Sequence, residues 1–273
     1  MKYAITEVTA NGVTYLTTPD FLQFPELAAG FSTRAGGVSQ GCFGQFNFGL
    51  SRGDDPDAVR ENYRIFAAAL GADAESIAAV RQVHSATVLT APQDGVANPF
   101  VPAPLVRGDG VVTAQPGLYP ACYYADCIPL LLYAPESRIC GAVHAGWRGV
   151  QQRILARAVE AMAALGADPA DLLLAIGPSI CADCFEVGDE VVELFRQAFP
   201  GRDELIVGGH AKPHIDLWRA VELTALEAGL REERITCLGH CSFERSDEFF
   251  SHRIHREERG VLMALIGVRP DAE

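Results

Sequence analysis

Residues 125–150 read ADCIPLLLYAPESRICGAVHAGWRGV. Ile128–Tyr133 and Ile139–Val143 are short apolar runs, greasy on both faces, as strands covered from both sides are. His144 closes the second run, and Gly146 and Gly149 lead on into a helical pattern, VQQRILARAVEAMAALG. There Ile154, Leu155, Ala158, Val159, Met162 and Leu165 recur at helical spacing, and Gly166 supplies the stop. Two fully covered strands followed by a helix place a sheet in the interior with a helix packed outside it. The apolar run IPLLLYA is too short to cross a bilayer and contains Pro129.

The same patterns recur outward along the chain. Further strands are expected at Val13–Thr17, Thr87–Thr90, Gly110–Thr113, Leu172–Ile176, Ile235–Leu238 and Leu262–Ile266. Asp55 as N-cap, Pro56 in the first turn and Gly71 as stop delimit a helix whose buried face includes Val59, Ile65, Phe66 and Leu70. Another helix runs from about Val187 to Phe199, and a last one follows Asp216 as N-cap and ends at Gly229. Strands outnumber helices and do not alternate with them regularly. That favours an α+β fold with mixed sheets and helices outside, not a doubly wound parallel sheet. No repeat or long linker interrupts the chain. The segment Ala91–Gly110 holds four prolines and reads as an extended excursion, too short to separate domains, so residues 1–273 are expected to form a single domain.

Charge narrows the function. The formal net charge is -13 and no run of Lys and Arg is present, so nucleic acid and anionic membranes are poor partners. A small molecule is the better expectation, with local Arg residues to receive it if it is anionic. The first twenty residues hold no apolar core and carry Glu7 where a signal peptide would be greasy. A cytoplasmic setting is therefore expected, and there the eight cysteines read as thiols or metal ligands, not disulfides.

Three segments carry chemistry. His84 in RQVHSATV, Cys127 in YYADCIPLLLY and His144 in CGAVHAGWRGV each sit where a strand meets a loop, the position from which rigid scaffolds present reactive groups. Two imidazoles and one thiolate suit zinc, and three protein ligands leave a fourth position open for water or substrate. A His or Cys beside a strand end is more often simply packed, so the residues alone leave both readings open. The four cysteines Cys181, Cys184, Cys237 and Cys241, near His240, suggest a second zinc site, but nothing around them looks like a zinc ribbon. Cys42, Cys122 and Cys140 are expected to be buried small residues, and His252 and His255 partly exposed.

These segments, with FSTRAGGVSQG, FNFGLSRGDDPDAVRENYR, GPSICADCFEVGDEV, DLWRAV and CSFERSDEFFSHR, resemble the YfiH/DUF152 family, the laccase-domain or "polyphenol oxidase" proteins, over most of the chain. QVH, ADC and HAGWRG in this order are its most specific marks. The resemblance implies a four-layer α/β/β/α sandwich and a metal triad at His84, Cys127 and His144. It also implies a zinc-dependent purine nucleoside phosphorylase acting on adenosine, inosine, guanosine and methylthioadenosine, with adenosine deaminase activity at the same site. Metal-activated water accounts for deamination at C6 of adenine. Phosphorolysis also needs a cationic pocket. Arg34 and Arg148 are the phosphate candidates, since a guanidinium binds oxyanions bidentately. Each of these arginines also suits a structural ion pair.

Asn47 offers donor and acceptor to ribose or base, or stabilises a turn. Gln82 and Asp126 are placed to orient a ligating imidazole or to cap local backbone, and Trp147 reads as packing. The chain departs from the family pattern where His252-Arg253-Ile254 replaces a Tyr-Arg-Arg run, and where Gly260-Val261 replaces a Gly-Arg pair.

Two alternatives keep the triad. Copper(II) would substitute for zinc in such a ligand set and give a laccase-like oxidoreductase, but a four-copper cluster needs more histidines than the seven present. Alternatively, Cys127 activated by His144 would make a cysteine hydrolase, for which the family's link to peptidoglycan editing suggests murein precursors.

Overall fold

A computed structural model describes residues 1–101, 104–209 and 211–270. Residues 102 and 103 of the proline-rich segment lie outside the described residues. The strands are β1 (Lys2–Tyr3), β2 (Thr6–Ala10), β3 (Val13–Thr17), β4 (Leu27–Phe31), β5 (Ile77–Ala78), β6 (Val88–Thr90), β7 (Gly110–Thr113), β8 (Tyr119–Tyr124), β9 (Ile128–Ala134), β10 (Ile139–Ala145), β11 (Leu173–Ile176), β12 (Ile206–Val207), β13 (His214–Ile215), β14 (Ile235–Cys237) and β15 (Leu262–Val268). The α-helices are α1 (Pro56–Leu70), α2 (Trp147–Gln151), α3 (Ile154–Ala164), α4 (Asp189–Ala198), α5 (Leu217–Glu227) and α6 (His252–His255).

The hairpin β9–β10 lies within a seven-stranded sheet ordered β1-β14-β11-β9-β10-β7-β6. Its register runs from Ile139 opposite Ala134 to Ala145 opposite Ile128, and every residue of both strands is buried. The pleat explains the two greasy faces. Leu130, Leu132 and Val143 point to a core shared with Ile154, Leu155 and Met162 of α3, Phe195 of α4 and Val221 of α5. Leu131, Tyr133, Cys140 and Ala142 point the other way, into a core shared with Phe31, Tyr124, Ala264 and Ile266 of the second sheet. That sheet is ordered β2-β3-β4-β15-β8-β5. Its far face (Tyr15, Met263, Leu265) packs on Val59, Tyr63 and Phe66 of α1. Truncating a residue as enclosed as Leu132 costs about 2–5 kcal/mol by this logic. Both large sheets mix parallel and antiparallel pairs: β1, β14 and β11 run parallel, as do β6 with β7 and β5 with β8, while the other neighbours described are antiparallel. A mixed α/β fold with several mixed sheets is thus present, as the irregular element order implied.

The helix signals at α1 and α5 hold. Asp55 accepts from the Asp57 amide and Gly71 closes α1 at φ 69°; Asp216 accepts from the Arg219 amide ahead of α5. The continuous helix expected after Gly149 is broken. Arg153 adopts φ 63° and separates α2 from α3. Its guanidinium bonds Thr224, Glu227 and the Ala198 carbonyl and lies over the Phe199 ring, so tertiary contacts offset a backbone conformation that L-residues disfavour. Strands β4 and β8 lack a clear sequence signal because Ala, Gly and Pro dilute their β character. Among the described residues no helix is long and apolar enough to cross a membrane.

Candidate metal centre

The hairpin register puts Ala145 opposite Ile128, so Cys127, one step before β9, meets Gly146, one step after β10. His144 lies on the same end of β10, almost wholly buried at 3% exposure. His84 reaches in from the loop before β6 with φ 58°. The ligand atoms of His84, Cys127 and His144 all lie within 4.8 Å of one another, and the two imidazoles stand edge to face with centroids 4.9 Å apart. The expected triad is brought together from three separate segments.

The space between them depends on a missing side chain. A Cβ on Gly146 would sit 2.9 Å from Cδ2 of His84 and 3.1 Å from Sγ of Cys127. Gly146 has φ -67°, so a turn does not require glycine here; the crowding around the ligands does.

Asp109 organises the two histidines, and the sequence reading missed it. It is fully buried. Its Oδ1 lies 3.0 Å from Nδ1 of His144 and accepts the His84 amide at 2.9 Å. Its Oδ2 accepts the amide and hydroxyl of Ser85, both at 2.7 Å, and the Asp109 carbonyl accepts the His144 amide. A carboxylate at Nδ1 holds a proton there, so that a cation displacing the other proton would meet the Nε2 lone pair facing the triad, the usual support of a metal-ligating His. Burial raises the Asp109 carboxyl, but hydrogen bonds from His144 and Ser85 more than offset it and hold it at about 2. Burial also works against charge at Cys127 and His144, yet their mutual attraction prevails. The Cys127 thiol is lowered to about 6, chiefly by His144. The His144 imidazole is raised to about 9 by Cys127 and Asp109. A site that draws a proton from a thiol and fixes an imidazole tautomer matches the demands of a cation with nitrogen and sulfur ligands.

The other sequence candidates lie elsewhere or do other work. Arg34 donates to the Ser246 carbonyl at 2.7 Å and stacks on Phe250. Arg148 is exposed and lies over the ring of Trp147. Asn47 is fully buried; it donates to Asp54 and accepts the amides of Gly49 and Val261. None of these contacts is to the triad. Gln82 clamps the amide and carbonyl of Tyr123.

Asp126, at φ 79°, accepts Ser242, Ser251 and the Arg253 amide. It ties the C-terminal loops to Cys127, whereas the orienting role expected of Gln82 or Asp126 is filled by Asp109. Arg259 is a second residue the sequence reading passed over. It is 6% exposed, its Nη1 donates to the Gly260 carbonyl, and its Nε lacks a hydrogen-bond partner among the described residues. Cys42 is exposed, contrary to expectation: it lies in a short surface turn with no buried residue. Of the four cysteines suggested for a second site, Cys181, Cys184 and Cys241 converge, while Cys237 is buried in the helix-side core. A cavity of about 510 Å³ between α3 and α5 is lined by no member of the triad.

The fold and site define a class: a mixed α/β protein with a metal-competent His/Cys/His centre at the end of its central hairpin. Residues 28–269 match the family model described as "Multi-copper polyphenol oxidoreductase laccase", and the chain belongs to that family. It is similar to a purine nucleoside phosphorylase of Deinococcus radiodurans, 39% identical, covering 96% of this chain and 95% of that one. It is also similar to "Adenosine deaminase RL5" from an unknown prokaryotic organism, 36% identical over 86% of this chain and 91% of the other. The solved structure of YlmD from Geobacillus stearothermophilus superposes with a TM-score of 0.87 at 32% identity, covering 99% of this chain and all of that one. Among the described residues two groups of three metal-competent side chains form, His84 with Cys127 and His144, and Cys181 with Cys184 and Cys241.

Proposed function

We propose that this chain is a zinc-dependent purine nucleoside phosphorylase that also deaminates adenosine, with His84, Cys127 and His144 holding one ion. The convergence of the three ligand atoms within 4.8 Å, around a glycine that admits no Cβ, carries the proposal. The names of its relatives support the choice of reaction. Zinc bound there supplies a Lewis acid and acidifies water. Asp109 keeps a His144 proton on Nδ1, and the absent side chain of Gly146 leaves room beside His84 and Cys127 in which an ion would sit.

In phosphorolysis a phosphate oxygen attacks C1′ and the C1′–N9 bond breaks; its electron pair goes to the purine, which takes up a proton. In deamination water adds at C6 and ammonia leaves. Arg259 joins Arg34 and Arg148 as a phosphate candidate, because it is buried with its Nε unpaired among the described residues. A buried guanidinium with an unused N–H is prepared to receive an oxyanion. Asn47 would act on the nucleoside only indirectly, through the Gly49 and Val261 backbone that it fixes. Methylthioadenosine, inosine and guanosine are further expected substrates. We also read the layers as a four-layer α/β/β/α sandwich forming a single domain, and the eight unpaired thiols as suited to the cytoplasm.

The test is to incubate zinc-loaded protein with adenosine, with and without phosphate, and to separate the products. Inosine in both reactions, and free adenine or hypoxanthine only with phosphate, are expected; neither product with zinc bound would contradict the proposal. A second reading draws on the Cys127–His144 charge pair: without metal, Cys127 is poised as a nucleophile for hydrolysis. Metal-free protein that turns over substrate and is inactivated by alkylation at Cys127 would favour it. Copper in place of zinc is checked by loading each ion separately and assaying phenol oxidation.

A further inference from the structure

The second cluster lies on two loops that pack behind Cys127. Cys181 precedes a single 3-10 turn, Ala182–Cys184, whose amides from Cys184 and Phe185 close on the Cys181 carbonyl. The turn brings the two sulfurs of the C-x-x-C to one side. Cys241 arrives from sixty residues further on, through a parallel bridge between Ser179 and Cys241. In that bridge the Ser179 amide donates to the His240 carbonyl and the Ser242 amide to the Ser179 carbonyl. The three sulfurs lie within 4.8 Å of one another, and none is in a disulfide.

Two observations separate this cluster from ordinary thiol packing. First, Cys122 and Cys140 are enclosed by the apolar core between the sheets and Cys237 by the helix-side core, whereas Cys181 and Cys184, the latter at the margin of the helix-side core, are only half-buried beside the buried Cys241. Second, a backbone donor from the C-x-x-C turn is aimed at the sulfur of the distant loop. The Cys181 amide donates to Sγ of Cys241 at 3.4 Å. N–H groups aimed at sulfur stabilise a thiolate over a thiol. Three sulfurs gathered around such a point repel one another once ionised, unless a cation lies between them.

We propose that Cys181, Cys184 and Cys241 form a second metal site, which binds a thiophilic closed-shell cation, zinc(II) or copper(I). Thiolates select these ions over the hard cations magnesium and calcium. Each thiol that ligates gives up its proton to solvent, and no redox step is involved. Three thiolates satisfy a trigonal copper(I), or a zinc(II) completed by a water molecule. The role is structural. The ion fastens the 179–184 turn to the 240–244 loop, and both bear on Asp126, the neighbour of Cys127. The Ile180 amide donates to the Asp126 carbonyl and the Ser242 hydroxyl to its carboxylate. The second site thereby braces the backbone that carries Cys127.

The test uses the full chain, reduced, stripped by chelator and then given zinc(II) alone or, under anaerobic reducing conditions, copper(I) alone. Bound metal is counted after desalting, and the alkylation of each cysteine is mapped by peptide mass. The wild-type chain is expected to retain two ions with at least one of the metals, and His84→Ala to retain one. In His84→Ala, alkylation of Cys181, Cys184 and Cys241 should slow about tenfold or more when metal is present. The double substitution Cys181→Ser with Cys184→Ser should likewise retain one ion, at the triad. The alkylation pattern of the wild-type chain needs no substitution and guards against a variant that fails to fold. A single ion per chain with either metal, lost on His84→Ala, with alkylation of the three cysteines unaffected by metal, would overturn the proposal. So would a Cys181–Cys184 disulfide that persists under the reducing conditions.

Discussion

The two clusters of metal-competent side chains differ in how they are supported, and the difference separates chemistry from bracing. At His84, Cys127 and His144 the support is a buried carboxylate, Asp109, which holds both histidine segments, and a glycine that keeps the centre clear. At Cys181, Cys184 and Cys241 the support is backbone: the Cys181 amide directed at the Cys241 sulfur and the bridge between Ser179 and Cys241. Mixed imidazole and thiolate ligands with a clear side suit an ion that meets substrate, whereas an all-thiolate set suits an ion that holds loops together. Asp126 lies between the two and links them through its backbone and side chain.

The sharpest break in that contrast comes from removing a triad ligand. His84→Ala, Cys127→Ala and His144→Ala should each reduce both adenosine activities to background while leaving the ion of the second cluster in place, read by product separation alongside metal counting. Next is Asp109→Asn, which keeps the shape and removes the charge. It should weaken metal at the triad by roughly 10–100-fold, measured by chelator competition. It should also lower the stability of the metal-free protein by about 3 kcal/mol, measured by urea unfolding, because it breaks a buried charge pair.

Gly146→Ala is milder. Its φ suits alanine but the Cβ crowds His84 and Cys127, so unfolding should shift by about 1–3 kcal/mol, while metal affinity falls about tenfold, or ~1.4 kcal/mol. Arg259→Gln should lower phosphorolysis about tenfold more than deamination, since only the former needs phosphate held; the ratio of free base to inosine measures this.

The smallest effect is the pH dependence of the metal-free protein. The Cys127 thiol is depressed to about 6, so its contribution to stability is present above its unfolded value near 9 and is lost as pH falls through about 6. The His144 imidazole is raised to about 9, so its contribution is full below its unfolded value near 6.5 and is lost as pH rises through about 9. Both partners are charged between these limits, and the pair should stabilise the fold most there. Alkylation of Cys127 should accordingly titrate near pH 6, and His144→Ala should move that midpoint upward.

How far the sequence could be read follows from the range of the interactions. The hairpin β9–β10 was legible because each strand carries its own apolar signature, and α1 and α5 because Asp55, Gly71 and Asp216 act within a few residues of themselves. The triad was legible through its motifs. Asp109 was not. Its partners lie 24 to 35 residues away, and an aspartate between Gly108 and Gly110 reads as a turn. The flanking glycines were the available signal: a Cβ on Gly110 would press on Val88 at 3.0 Å, so the segment is built for close approach. Arg153 escaped for the opposite reason, since the helical pattern runs through it unbroken and only contacts with α5 and Phe199 impose the break. The convergence of Cys241 on Cys181 rests on a single bridge between distant loops, for which local sequence holds no mark.

The most direct measurement of the central claim is the rate of adenosine consumption by chelator-stripped protein, before and after zinc is restored, with His144→Ala beside it. The account predicts no turnover without metal, recovery as zinc fills the triad, and no recovery in the variant. Turnover by metal-free wild-type protein, or restored turnover in His144→Ala, would contradict it.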